Sequence, residues 1–142
     1  MKVEDCNQFS QCRHPQSVHL TMNQVQVSGK VVFLSGGAGG LARSLADLIL
    51  TRGGKVWLGD LSQTGVEQVV ASLGGKHGVE RVGGGELEVR SGEGWRTAWQ
   101  NCTDSLGTPD ILVNIAGVKG EEDWETLYDV NLVTSVGEEE RD

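Results

Sequence analysis

The residues Ser35-Gly36-Gly37-Ala38-Gly39-Gly40-Leu41-Ala42 form the stretch whose types and spacing could do chemistry. An apolar run, Val31-Val32-Phe33-Leu34, leads in, and a helical pattern from Leu41 to Arg52 leads out. Strand, glycine turn and helix together let a backbone come close to a pyrophosphate. The turn needs residues without a Cβ, and the helix start offers free N–H groups with partial positive charge. A glycine run alone also suits a flexible loop, so the flanks decide. Asp60 closes the next apolar run, Lys55-Val56-Trp57-Leu58-Gly59, about 20 residues past the last glycine. A dinucleotide fold places there the acid that takes the ribose hydroxyls.

Other reactive residues lead nowhere comparable. Cys12 and His14 lack a second pair to complete a metal site, so no metal is expected. The three cysteines, Cys6, Cys12 and Cys102, are odd in number and not closely paired. That fits a reducing, cytoplasmic compartment better than a disulfide framework. A formal charge of −8 argues against nucleic acid, whose phosphates demand a basic face, and against an anionic membrane surface. No run is long enough to span a bilayer, and residues 1–23 contain no secretory h-region.

The elements that must position the glycine turn follow from periodicity. A chain of 142 residues is one domain at most. Residues 1–24 are polar and aperiodic and read as a disordered extension, with Met22 a possible alternative start. Residues 25–134 read as the domain, and 135–142 as an acidic, divergent tail. Within the domain Ser28-Gly29-Lys30 is a turn and Val31–Leu34 the first strand, buried on both faces. Leu41, Leu45, Leu48 and Ile49 give the first helix an apolar face, with Gly53 as its cap. The second strand is Lys55–Gly59. The second helix runs from Gln63 to Leu73, with Val66, Val69, Val70 and Leu73 on one face, and Gly74-Gly75 end it.

Three consecutive glycines, Gly83–Gly85, do not belong inside a strand, so the third strand is expected at Glu86-Leu87-Glu88-Val89. Ser91 caps a third helix whose stripe is Trp95, Trp99, Cys102 and Leu106. Asp110 to Gly117 is the fourth strand with its exit turn. A last helix starts near Asp123, with Trp124, Leu127, Tyr128 and Asn131 on one face. Alternating strands and helices predict an α/β fold: a Rossmann-type, doubly wound parallel sheet of order 3-2-1-4, truncated after about four strands.

Three of these segments, in order, resemble motifs of the short-chain dehydrogenases/reductases. Ser35–Ala42 is similar to their T-G-x-x-x-G-I/L-G turn, and Asp110–Gly117 to their D-I-L-V-N-N-A-G strand. Trp124–Val133 is similar to the helix that carries their catalytic asparagine. The resemblance implies NAD as cofactor. Gly36, Gly37, Ala38, Gly39, Gly40, Leu41 and Ala42 would cradle the pyrophosphate. Asp60, followed by Leu61, would hold the adenosine ribose and repel a 2′-phosphate. Glu88 and Val89 fall on the adenine-contacting pair. Asn114, Ile115, Ala116 and Gly117 lie by the nucleotide ribose, and Asn131 falls on the catalytic asparagine. The implied reaction is oxidation of a secondary alcohol of a prostaglandin-like hydroxy fatty acid. A small hydroxy-lipid substrate and a homodimer are expected only of a longer form.

The departures are informative. Ala42 stands for the third glycine, Glu88 for Asp, and Ile115 for the second asparagine of N-N-A-G. The family's Ser and Tyr-x-x-x-Lys have no counterpart in these 142 residues: Tyr128 is the single tyrosine, and Leu132 stands four residues on. Removing the alcohol proton in step with hydride loss needs a base of lowered pKa. The chain is therefore expected to be inactive alone, with Ile111–Val113 on a bare, association-prone sheet edge. The alternatives are a non-catalytic NAD- or adenine-nucleotide-binding fragment, or a truncated form that interferes with full-length partners.

Overall fold

The computed structural model describes residues 26–119 and 123–133. The extension, with Cys6, Cys12, His14 and Met22, and the acidic tail lie outside the described residues.

Four parallel strands form one sheet of order β3-β2-β1-β4, as the alternation of elements predicts. They are β1 (Val31–Ser35), β2 (Lys55–Asp60), β3 (Val82–Glu86) and β4 (Ile111–Asn114). Between them lie α1 (Gly40–Thr51), α2 (Gln63–His77) and α3 (Gly92–Leu106). After β4 come a short helix, α4 (Trp124–Tyr128), and one π turn over Asp129–Val133. All five residues of β1 are buried, as befits a strand covered on both faces.

Side-chain alternation along β1 and β2 divides the core in two. Val32, Leu34, Val56 and Leu58 face α1 and α2, meeting Ala46, Ile49, Leu50, Val66, Val69 and Leu73. Val31, Phe33 and Trp57 face α3, meeting Ala98, Cys102 and Leu106. Phe33 centres an aromatic group there: its ring lies 4.7 Å from Trp57, 5.7 Å from Trp95 and 5.8 Å from Trp99. Burial pushes the Cys102 thiol up to about 11, so it stays protonated and inert.

Four expectations need correction. The third strand is Val82–Glu86 and runs through all three glycines, while Glu88 and Val89 lie past its end. The reason is long-range. A Cβ on Gly83 would sit 3.0 Å from Trp57 Cδ1, and one on Gly84 would sit 2.5 Å from Val66 Cγ1 and 2.7 Å from the Leu58 carbonyl. Glycine gives the indole room on one face and lets α2 come close on the other.

The buried face of α1 is Ala42, Ala46, Ile49 and Leu50, whereas Leu41 is 70% and Leu48 45% exposed. Alanines, not the larger leucines, let the helix lie close to the sheet. The second helix does not end at Leu73 but continues through Gly74-Gly75 to His77. Gly74 is buried there, a Cβ on it would lie 3.3 Å from Val79, and Gly78 at φ +105° makes the stop. In α3 the buried residues are Ala98, Cys102 and Leu106, and Trp99 is 37% exposed.

Candidate functional site

Parallel strands end on one rim of a sheet, and ligands of such sheets bind there. Here Ser35, Asp60, Glu86 and Asn114 close the four strands. The register sets Ser35 beside Gly59 and Asn114, and Asp60 beside Glu86. The glycine turn and Asp60 lie along this rim or in the loops leaving it.

The glycine turn leaves β1 at Gly36, whose φ of +72° is the left-handed conformation glycine tolerates. A Cβ there would lie 2.8 Å from the Ala116 nitrogen, so the turn and the β4 exit share one tight contact. Gly37 backs onto β2: its N–H donates to the Gly59 carbonyl at 2.9 Å, and a Cβ would lie 2.7 Å from that of Leu58. Gly40 differs, because nothing lies within 4 Å of where its Cβ would be. Packing does not require glycine there. What its absent side chain leaves is open approach to the first turn of α1.

That first turn is also uncapped. Ser62 and Ser91 cap α2 and α3 by accepting from Gly65 N and Gly94 N, but no side chain caps α1 at Gly39. An uncapped helix start beside an open glycine is a cradle for an anion. Ala42, which stands for the motif's third glycine, lies on the buried face of α1.

Asp60 is fastened to the turn. One carboxylate oxygen accepts from Ala38 N at 3.1 Å and the other from Ser62 N at 3.0 Å. The carboxylate thus faces the rim at a fixed distance from the α1 start, with acceptor capacity left for hydroxyl groups. Leu41 and Leu61 stand exposed on either side.

Ser35, at the head of the motif, has a role that periodicity alone does not disclose. It is fully buried. Its hydroxyl donates to Asn114 Oδ1 and accepts from Ile115 N at 3.1 Å and Ala116 N at 3.2 Å. It thereby ties the exit of β4 to the glycine turn. The available signal was a hydroxyl ending an otherwise apolar buried strand. Asp110 ties the other end, accepting from Val31 N at 2.9 Å and Lys30 Nζ at 3.0 Å. Those bonds hold its carboxyl below the usual carboxylate range.

The remaining candidates fall into two groups. Glu88 and Val89 sit in the turn between β3 and α3, beside Asp60, since Leu87 N donates to the Asp60 carbonyl. Glu88 is engaged by Arg90, whose backbone N–H and guanidinium both donate to it at 3.0–3.2 Å. Arg90 therefore holds the Glu88 carboxyl below its ordinary value. On the other side, Gly117 and Val118 follow the β4 exit and meet Asn131. Asn131 Oδ1 accepts from Val118 N and Nδ2 donates to the Val118 carbonyl, both at 2.9 Å. The π turn thus docks onto the strand exit through one side-chain amide. Asp123 caps α4 by accepting from Thr126 N, which lowers its pKa.

The rim therefore offers an anion cradle, a carboxylate one strand away and a braced backbone turn on each side. This is what the pyrophosphate, ribose and base of a dinucleotide require. Among the described residues no group of His, Cys, Asp and Glu could hold a metal ion, and no helix is long and apolar enough to cross a membrane.

Comparison with known proteins agrees with this geometry. The family model for short chain dehydrogenase matches residues 30–137. A 15-hydroxyprostaglandin dehydrogenase of Macaca fascicularis, whose name carries NAD(+), is 33% identical over 112 residues, or 79% of this chain and 42% of that protein. A short chain dehydrogenase from Mycobacterium smegmatis superposes with a TM-score of 0.71 at 26% identity, over 78% of this chain and 50% of the other. An L-sorbose reductase from Gluconobacter frateurii, solved with NADPH and L-sorbose, gives 0.68 at 27% identity, over 78% and 44%. The chain spans less than half the length of the curated relative it matches.

Proposed function

The chain belongs to the short chain dehydrogenase family, and from that premise we propose that residues 25–134 are the NAD-binding half of an oxidoreductase. The observation that carries this reading is Asp60, held by Ala38 N and Ser62 N beside the uncapped start of α1. The first turn of α1 takes the pyrophosphate, with Gly36 to Ala42 forming the cradle. The Asp60 carboxylate takes the adenosine ribose hydroxyls, and its charge repels a 2′-phosphate, which selects NAD over NADP. Glu88 and Val89 border the adenine. Asn114 to Gly117 border the second ribose. When bound, NAD supplies the hydride acceptor.

In a longer form the substrate is a secondary alcohol of a prostaglandin-like hydroxy fatty acid, in line with the name of the macaque relative. Asn131 then serves as the catalytic asparagine, its side-chain amide paired with the Val118 backbone. A second reading is a nucleotide-binding module without turnover. Tyr128 favours it, because Leu132 and not Lys stands one helical turn away, so the Tyr-x-x-x-Lys pair that would take the alcohol proton is not formed there.

Calorimetric titration tests the reading. The wild type is expected to bind NAD more tightly than NADP. Asp60→Ala should weaken NAD at least about tenfold, the scale of charge-assisted hydrogen bonds lost. Unchanged NAD affinity in that variant overturns the cofactor assignment. Formation of NADH from a hydroxy fatty acid by the chain itself removes the second reading.

A further inference from the structure

A ribose held at Asp60 places its base over the neighbouring strand end, which is the turn from Glu88 to Ser91. We infer that Trp95 is the positioning residue for this adenine seat, acting through its indole N–H on the Val89 carbonyl. The inference rests on the dinucleotide reading above.

The turn is held from several sides. Ser91 N donates to the Glu88 carbonyl at 3.0 Å, which closes the turn. Ser91 then starts α3, its hydroxyl accepting from Gly94 N at 3.1 Å. Gly94 passes so near that a Cβ would lie 2.9 Å from the Glu88 carbonyl oxygen. All of these bonds are local, and the turn is tied to the sheet at its start, where Leu87 is buried and its N–H donates to the Asp60 carbonyl. The Trp95 indole fixes the far side. Its N–H donates to the Val89 carbonyl at 2.9 Å, while its ring packs against Phe33 in the middle of β1. Trp95 thus links the Val89 end of the turn to the centre of the sheet. Trp99 also packs against Phe33 but makes no bond to the turn.

A packing role and a positioning role separate in the choice of base. The full chain and its Trp95→Phe variant are titrated with NAD and with nicotinamide guanine dinucleotide, which differ only in that base. Trp95→Phe retains an aromatic ring against Phe33 and loses the N–H. The expected result is a preference for NAD in the wild type that narrows about two- to tenfold in the variant, the span of one neutral hydrogen bond. Trp99→Phe should leave the preference unchanged. Equal loss for both dinucleotides, or no loss, overturns the inference and leaves Trp95 a core residue. Failure of the wild type to bind either dinucleotide overturns the dinucleotide reading itself. If Trp95→Phe does not fold, benzothienylalanine at position 95 keeps the bicyclic ring, removes only the N–H, and faces the same criteria.

Discussion

Ser35 shows how much one atom can organise. Its buried oxygen joins β1 to the exit of β4, and two backbone N–H groups depend on it. Ser35→Ala leaves both donors without that acceptor and should cost about 1–3 kcal/mol. A fall in the thermal midpoint checks this. Ser35→Thr keeps the hydroxyl and should cost less, and equal losses for the two would show that the oxygen matters little. Asp60 stands at the same scale with a different outcome. Its bonds to Ala38 and Ser62 are partly exposed, so its replacement should be felt more in ligand binding than in melting.

At the scale of elements, the glycines of β3 carry the clearest prediction. Gly84→Ala drives a methyl group into Val66 and the Leu58 carbonyl, and overpacking of this kind costs about 1–3 kcal/mol. Gly85→Ala meets only the Trp57 ring at 3.4 Å, an ordinary contact, and should be near neutral. Urea denaturation of the two variants checks the ranking, and a larger loss for Gly85→Ala would contradict it. These same glycines mark the limit of what could be read from sequence. Strand order, the helix cap at Ser91, the helix start near Asp123 and the turn at Gly36 all follow from local chemistry, and all were legible. The place of β3 and the length of α2 were not. They depend on Trp57 and Val79, which reach them only once the chain has folded. Likewise, reading α1 by its leucines overlooked that Ala42 and Ala46 set the distance to the sheet. At the site, the carboxylate and the glycines could be read from spacing, whereas the bonds made by Ser35 and Trp95 could not.

For the molecule as a whole, charge and edge give two further outcomes. Asp47, Glu88, Asp110 and Asp123 all have lowered pKa values, each chiefly through hydrogen bonds: to His77 and Lys76, to Arg90, to Val31 and Lys30, and to Thr126. Carboxyls of this kind contribute stability above their unfolded values of about 3.9 to 4.3, and the contribution is lost as pH falls through the lower folded values. Stability should therefore fall below about pH 4. The difference between wild type and Asp110→Asn should be present at pH 7 and close in that window. A difference that is constant with pH would contradict the assignment. Among the described residues β4 is an outer strand of the sheet, with Leu112 50% exposed, an apolar edge that can pair. Leu112→Lys is expected to lower self-association in light scattering, and unchanged scattering would place the sticky surface elsewhere. The sheet order also has a consequence in time. β1 lies inside the finished sheet, yet its partner on one side is β4, and Val31 and Asp110 are 79 residues apart. At roughly 5–20 residues per second, a ribosome needs about 4 to 16 s to make that stretch. The strand that ends up enclosed thus spends its first seconds as a border, and it is then that a growing chain is most open to capture by a neighbour.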